Sequence, residues 1–342
     1  MRGVPRRTAA LLLRVAFLLA ASALATPASI GNADAQDALS PYMAQSACLD
    51  AQGAPVPGRL PFEAGCDRSR PASTGEPLSY RKHDWPGAAD AAARSTGYQA
   101  SDSLLGTLLG RPAFLQTFDF GGGSRAFNRF DAGDGGQVVV VRNGTAASPL
   151  TQDGGDGVQW FQSPECRGSG GPAAGWLFAA APLSDAWQER VVRLNKSRGP
   201  DQCPSAFAES LTRWRRARIG LPWRDGATAA VASAPADVVV SEHFGTGSIG
   251  TADHLERFWF ARGLGLARWE RWDNPARSRG PRQDRDRMAQ VIAGSGRCPP
   301  IAFSEPPAAG WRMVDCRTWT NMERAAAGAP LAALDWPPRE LR

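Results

Sequence analysis

The stretch from His254 to Asn274, HLERFWFARGLGLARWERWDN, constrains the fold of this chain more than any other. Arg262-Gly263-Leu264-Gly265 supplies a turn between two aromatic-rich runs. Whether the loop holds two residues or four, one antiparallel register follows, with Ala261 opposite Leu266. That alignment sets Arg257 against Glu270, Glu256 against Arg271, Phe258 against Trp269 and Trp259 against Arg268. Two charge pairs, an aromatic pair and a cation–π contact agree on it, and a slip of one residue loses all of them.

The surrounding sequence reads in the same way, as short apolar runs cut by Gly, Asp and Asn. Strands are expected at Phe114 to Phe120, Ala126 to Phe130, Val138 to Arg142, Val158 to Gln162 and Trp176 to Ala180. Others are expected at Asp237 to His243, Leu255 to Ala261, Leu266 to Trp272 and Trp311 to Cys316. Asp134-Gly135-Gly136 and Asp153-Gly154-Gly155 suit tight turns between them. Three segments carry helix signals. Ser184 caps a run with Trp187, Val191 and Leu194 on one face, stopped by Gly199-Pro200. Pro204 opens a second with Phe207, Leu211 and Trp214, stopped by Gly220 and Pro222. A third runs from Gln283 to Ile292. The expected fold is mainly β, an antiparallel β-sandwich of jelly-roll type with two or three short inserted helices.

The start of the chain reads as an address. Arg2, Arg6 and Arg7 precede an apolar run, Leu11 to Ala25, and small-residue cleavage patterns end at Ala25 and Ala35. Cutting after Ala35 gives a periplasmic or secreted protein. The apolar run falls short of the ~20 residues that a membrane-spanning helix needs. Beyond the signal peptide (1–35), a disulfide-braced lead-in is expected over 36–78, one large β-rich domain over 79–325 and a tail over 326–342. Removing residues 1–35 takes away four arginines and one aspartate, which lowers the net charge from +6 to +3. That mild balance does not support nucleic acid as a partner. The arginine tracts at 213–218 and 277–287 read as solvated surface, or as loose contacts with an anionic envelope polymer. Only two lysines, Lys82 and Lys196, stand against 37 arginines.

Six cysteines in an exported chain read as disulfides. Neighbours in sequence are the expected partners: Cys48 with Cys66, Cys166 with Cys203, and Cys298 with Cys316. No C-x-x-C occurs, so neither a zinc knuckle nor a dithiol redox motif is supported.

Chemistry is sparse. Gly245-Thr246-Gly247-Ser248-Ile249-Gly250 fits a dinucleotide fingerprint in letters, but a strand follows where a helix is required, so it reads as a loop. Asp131, Asp134, Asp153 and Asp156 sit in glycine-rich stretches and form a candidate Ca²⁺ cluster. Acid–base candidates are Glu242, His243, Glu256, Glu270 and His83, although the hairpin register already assigns arginines to Glu256 and Glu270. Twelve tryptophans suit stacking on sugar rings; Trp85, Trp160 and Trp272, near charges or turns, are the candidates for exposure. The expected partner is a polysaccharide or anionic envelope polymer. Three roles stay open: a glycan-binding module, a carbohydrate-active hydrolase or lyase, and a structural envelope protein.

Overall fold

The computed structural model describes residues 38–87, 99–119, 134–154, 157–169, 173–278 and 281–332. The expected signal peptide, the strand expected at Ala126 to Phe130 and the end of the tail lie outside them. The lead-in holds helix α1 (Ser40–Met43) and a two-stranded sheet of β1 (Ser46–Cys48) and β2 (Ser69–Pro71). All other strands join one large sheet that folds back on itself as two walls.

One wall runs β3 (Tyr80–His83), β4 (Gln99–Leu108), β5 (Arg111–Asp119), β6 (Asp134–Arg142), β7 (Ala146–Gly154) and β8 (Gly157–Gln162), with the short β9 (Ala179–Ala180) beside β7. The other holds β11 (Ala208–Asp225), β12 (Val231–Phe244), β13 (His254–Ala261), β14 (Gly265–Asp273) and β15 (Arg312–Thr318). Two strands link the walls, both on the edge of β11 that does not pair with β12. β10 (Gln188–Ser197) pairs with β8 and with the start of β11, while β16 (Asn321–Arg324) pairs with β3 and with the end of β11. The β11–β16 contact is parallel and the other strand pairings are antiparallel. The architecture is thus a mostly antiparallel β-sandwich of jelly-roll type.

Between the walls lies a core of Ala100, Phe114, Val139, Val141 and Ala147 from one side and Trp214, Val239, Phe258, Phe260 and Leu266 from the other, closed at one end by Leu39, Tyr42 and Met43 of the lead-in. Neighbouring residues on the strands, such as Val138 beside Val139 and Val238 beside Val239, face away from this core yet are also fully buried. At these strands both walls therefore bury both faces. For this reason Val138 to Val141 and Val238 to Val240 read as unbroken apolar runs and not as an alternation.

The hairpin register holds at four of its five expected pairs. Glu256–Arg271, Arg257–Glu270, Phe258–Trp269 and Trp259–Arg268 oppose one another. A bulge between Trp259 and Phe260 then shifts the ladder, so Ala261 opposes Gly265 and not Leu266.

Two of the three expected helices are strands. The segments after Ser184 and Pro204 form β10 and β11. Their spacing of Trp187, Val191, Leu194 and of Phe207, Leu211, Trp214 mimics a helical stripe. In β11, however, buried Ala217, Ile219 and Leu221 alternate with exposed Arg216, Arg218 and Gly220, which is the period of a strand. The third expected helix is present as α3 (Arg282–Ser295), ended by Gly296 in the left-handed conformation. A short α2 spans Cys166–Ser169. Asp134-Gly135-Gly136 belongs to the ladder of β6 and not to a turn, whereas Asp153 and Gly154 end β7 where it pairs back onto β8, Gly154 opposite Gly157. Gly136 is required there by packing, because a Cβ at that position would meet the backbone of Gln116 and Thr117 on β5.

All six cysteines are paired, in the three expected bridges, with Cα–Cα separations of 5.5, 5.6 and 6.3 Å in chain order. No described helix is long and apolar enough to cross a membrane.

Candidate functional site

On the side of the β11–β15 wall that faces away from the sandwich core, one row crosses the sheet: Arg213, Glu242, Arg257, Glu270 and Cys316, each opposite the next. The strand register places charges of alternating sign in line. Arg213 bonds Glu242 Oε2 through Nε. Arg257 donates through Nε to Glu242 Oε1 at 2.6 Å and through Nη1 to Glu270 Oε2 at 3.2 Å. Glu270 also receives Arg268, at 2.6 Å from Nη2 to Oε1, the indole N–H of Trp272 at 2.8 Å and the hydroxyl of Ser304. Arg257, Arg268, Glu242 and Glu270 are all essentially inaccessible.

Residues 298–305 cover this row as a strap. Pro299, Ala302 and Glu305 turn backbone carbonyls to Arg268, Trp259 and Arg257. Cys298 ties the strap to Cys316, the end of the charge row. The guanidinium of Arg213 stacks on Trp187 at 4.6 Å, and that of Arg215 on Phe303 at 4.4 Å. Two arginines of the 213–218 tract are therefore packed over rings, whereas Arg216 and Arg218 are exposed. Every carboxylate oxygen of Glu242 and Glu270 is engaged by a cation. Such an arrangement holds a sheet face together.

His243 lies on the opposite side of β12, inside the sandwich core. Rings of Trp176, Phe178 and Phe258 surround it at centroid distances of 4.9, 5.4 and 5.4 Å. Nδ1 accepts the indole N–H of Trp176. Nε2 lies 2.9 Å from the hydroxyl of Ser241, which itself donates to the carbonyl of Phe178 at 2.5 Å. The imidazole is therefore the neutral Nε2–H tautomer. Burial pushes its pKa down to about 3.

The remaining sequence candidates are dispersed. Glu256 sits 3.4 Å from Arg271, and His83 Nε2 contacts Glu323 at 2.8 Å. Trp85 is half-buried at the end of β3, with its backbone N–H donating to Thr318 O at 2.8 Å. Next to it, burial pushes the Asp84 carboxyl up to about 6 against the pull of Arg317. Trp160 and Trp272 are buried, and no described tryptophan is exposed. Trp272 lines an apolar cavity of about 320 Å³ under α3, together with Trp311, Ile292 and Met313. The structure does not bring Glu242, His243, Glu256, Glu270 and His83 together as one site.

The calcium expectation is overturned. Among the described residues, no group of three or more His, Cys, Asp or Glu side chains can hold a metal ion. Asp134 and Asp153 belong to strand ladders, opposite Asp119 and Gly136, instead of converging loops. Asp131 and Asp156 lie outside the described residues.

A polar cleft was not foreseen. It opens where β8 pairs with the end of β10, Trp160 opposite Ser197 and Phe161 opposite Lys196. It has a volume of about 430 Å³ and is lined by Gln159, Lys196, Ser197, Arg198, Gln202, Cys203 and Pro204. The Cys166–Cys203 bridge anchors its far wall. Lys196 Nζ stands 5.3 Å over the ring of Phe161 and 3.4 Å from Gln152 Oε1. Two cations, two amides and a hydroxyl thus face one concavity with an aromatic ring beside it. The signal for it in the sequence was Lys196 itself, one of only two lysines in an arginine-rich chain.

Compared with known protein families, curated proteins and solved structures, the chain matches none.

Proposed function

We propose that this protein is an exported, non-catalytic binding module for an anionic glycan of the cell envelope, held in the cleft between β8, β10 and the 198–204 segment. The observation that carries this reading is the lining of that cleft. Lys196 and Arg198 supply positive charge, and Gln159, Gln202 and Ser197 supply the hydrogen-bonding groups that hydroxyls and carboxylates need. Its size falls within the range of small-ligand sites. Three disulfides support an oxidising compartment. Against a hydrolase or lyase stands the engagement of Glu242 and Glu270 by arginines under a covering strap.

The test is affinity electrophoresis of the mature protein through gels containing either a uronate-bearing or a neutral polysaccharide. The acidic gel should retard it, and retardation should fall as salt screens the exposed cations. Equal mobility in both gels and in a blank gel overturns the reading and leaves a structural envelope role.

A further inference from the structure

The second lysine is fully buried. Lys82 on β3 and Asp102 on β4 have no accessible side-chain surface, and Nζ lies 2.5 Å from Asp102 Oδ2. Nζ is also 2.8 Å from the carbonyl of Leu264 and 2.9 Å from that of Leu266. Oδ2 accepts the backbone N–H of Leu266 at 2.7 Å, while Oδ1 is buried with no hydrogen-bond partner. Gly265, at φ +73°, lets the β13–β14 turn close over the carboxylate, since a Cβ there would run into Asp102.

We propose that Lys82 and Asp102 condense, with loss of one water, into an isopeptide bond that joins β3 to β4. The reacting form is the neutral pair, an amine facing a carboxylic acid whose proton sits on Oδ1. Burial favours that form on both sides, lowering the Lys82 pKa and raising that of Asp102. Once Nζ is an amine, its two N–H groups are directed to the carbonyls of Leu264 and Leu266, and its lone pair faces the carboxyl group. Nζ gives that pair to Cγ and the N–C bond forms. The Cγ–Oδ1 bond breaks, and Oδ1 leaves as water with its own proton and one from Nζ. Oδ2 stays as the amide oxygen, and the Leu266 N–H stabilises the charge that gathers on it during attack. Nothing is oxidised or reduced, and no co-reactant is needed. The choice of cation fits this chemistry: an arginine cannot become a neutral nucleophile in a protein, whereas a buried lysine can.

Peptide mapping of the mature protein, reduced and alkylated before trypsin digestion, tests the bond without relying on a variant. An isopeptide blocks cleavage after Lys82, so the peptide Lys82–Arg94 should appear joined to Ser95–Arg125, lighter than their sum by the mass of one water. Fragment ions should place the branch between Lys82 and Asp102, and Lys82→Met should abolish it. Cleavage after Lys82, giving His83–Arg94 and Ser95–Arg125 as separate peptides at full mass, overturns the proposal. So does loss of water within Ser95–Arg125 alone, which reports a succinimide.

Discussion

Trp176 donates its indole N–H to Nδ1 of His243, whose imidazole is held in its neutral form by burial, with the Thr212 hydroxyl 3.3 Å from the same nitrogen. Protonation at Nδ1 would set N–H against N–H inside a ring of aromatic side chains. The arrangement makes the stability contribution of His243 dependent on pH.

The sign of that effect follows from linkage. The folded pKa of His243, about 3, lies below its ordinary value of 6.5, so its stabilisation is complete above pH 6.5 and is lost as pH falls towards 3. The loss approaches ~1.4 kcal/mol per pH unit within that window. Asp84 acts in the opposite direction. Its carboxyl, raised to about 6 from 3.8, binds its proton more tightly in the fold, which offsets part of the loss between pH 6 and 4. Urea unfolding between pH 4 and 8 should therefore show stability falling on the acid side, more steeply for Asp84→Asn and less steeply for His243→Asn.

Glu270 is the acceptor on which the charge row depends. Glu270→Ala leaves Arg257, Arg268 and the Trp272 indole N–H buried without their shared partner. The expected cost is roughly 3–5 kcal/mol, read as a lowered urea midpoint. The double variant Glu270→Ala/Arg257→Ala should cost less than the sum of the two single changes.

Opening the Cys298–Cys316 bridge releases the strap from the end of that row. Cys298→Ser/Cys316→Ser should lower stability by about 2–4 kcal/mol in thermal or urea unfolding. It should also shift tryptophan emission to longer wavelength, because Trp259 and Trp272 lie beside the strap and its tether.

Gly265→Ala tests the close approach above Asp102. The new methyl meets the carboxylate, at a backbone φ of +73° that itself costs a non-glycine residue ~1–2 kcal/mol. A fall in melting temperature larger than that produced by Gly250→Ala, where a Cβ meets open space, is expected.

The sequence made the strands of the β12–β14 region legible because their side chains are complementary in pairs. Arg257 needs Glu270 and Phe258 needs Trp269, so a single alignment satisfied them. The bulge after Trp259 was not legible, since it adjusts backbone spacing without altering which charges meet. β10 reads as a helix in the sequence because Trp187, Val191 and Leu194 fall at helical intervals, whereas Trp187 lies just before the strand and Val191 and Leu194 are surface and rim positions on it. Val191 is in fact 47% exposed. The polar cleft escaped for a different reason. Gln159 comes from β8, Lys196 from β10 and Gln202 from the loop beyond, and only the β8–β10 pairing brings them together. His243 is an acid–base candidate by residue type; its burial beside Trp176 is a property of the sandwich and not of the local sequence.

The most direct test of the binding role is the mobility of Lys196→Glu/Arg198→Glu in a gel carrying uronate-bearing polysaccharide, run beside the wild type. Both positions are exposed, so the variant should keep the wild-type melting temperature and lose the retardation. Undiminished retardation of a folded variant would contradict a binding site at this cleft.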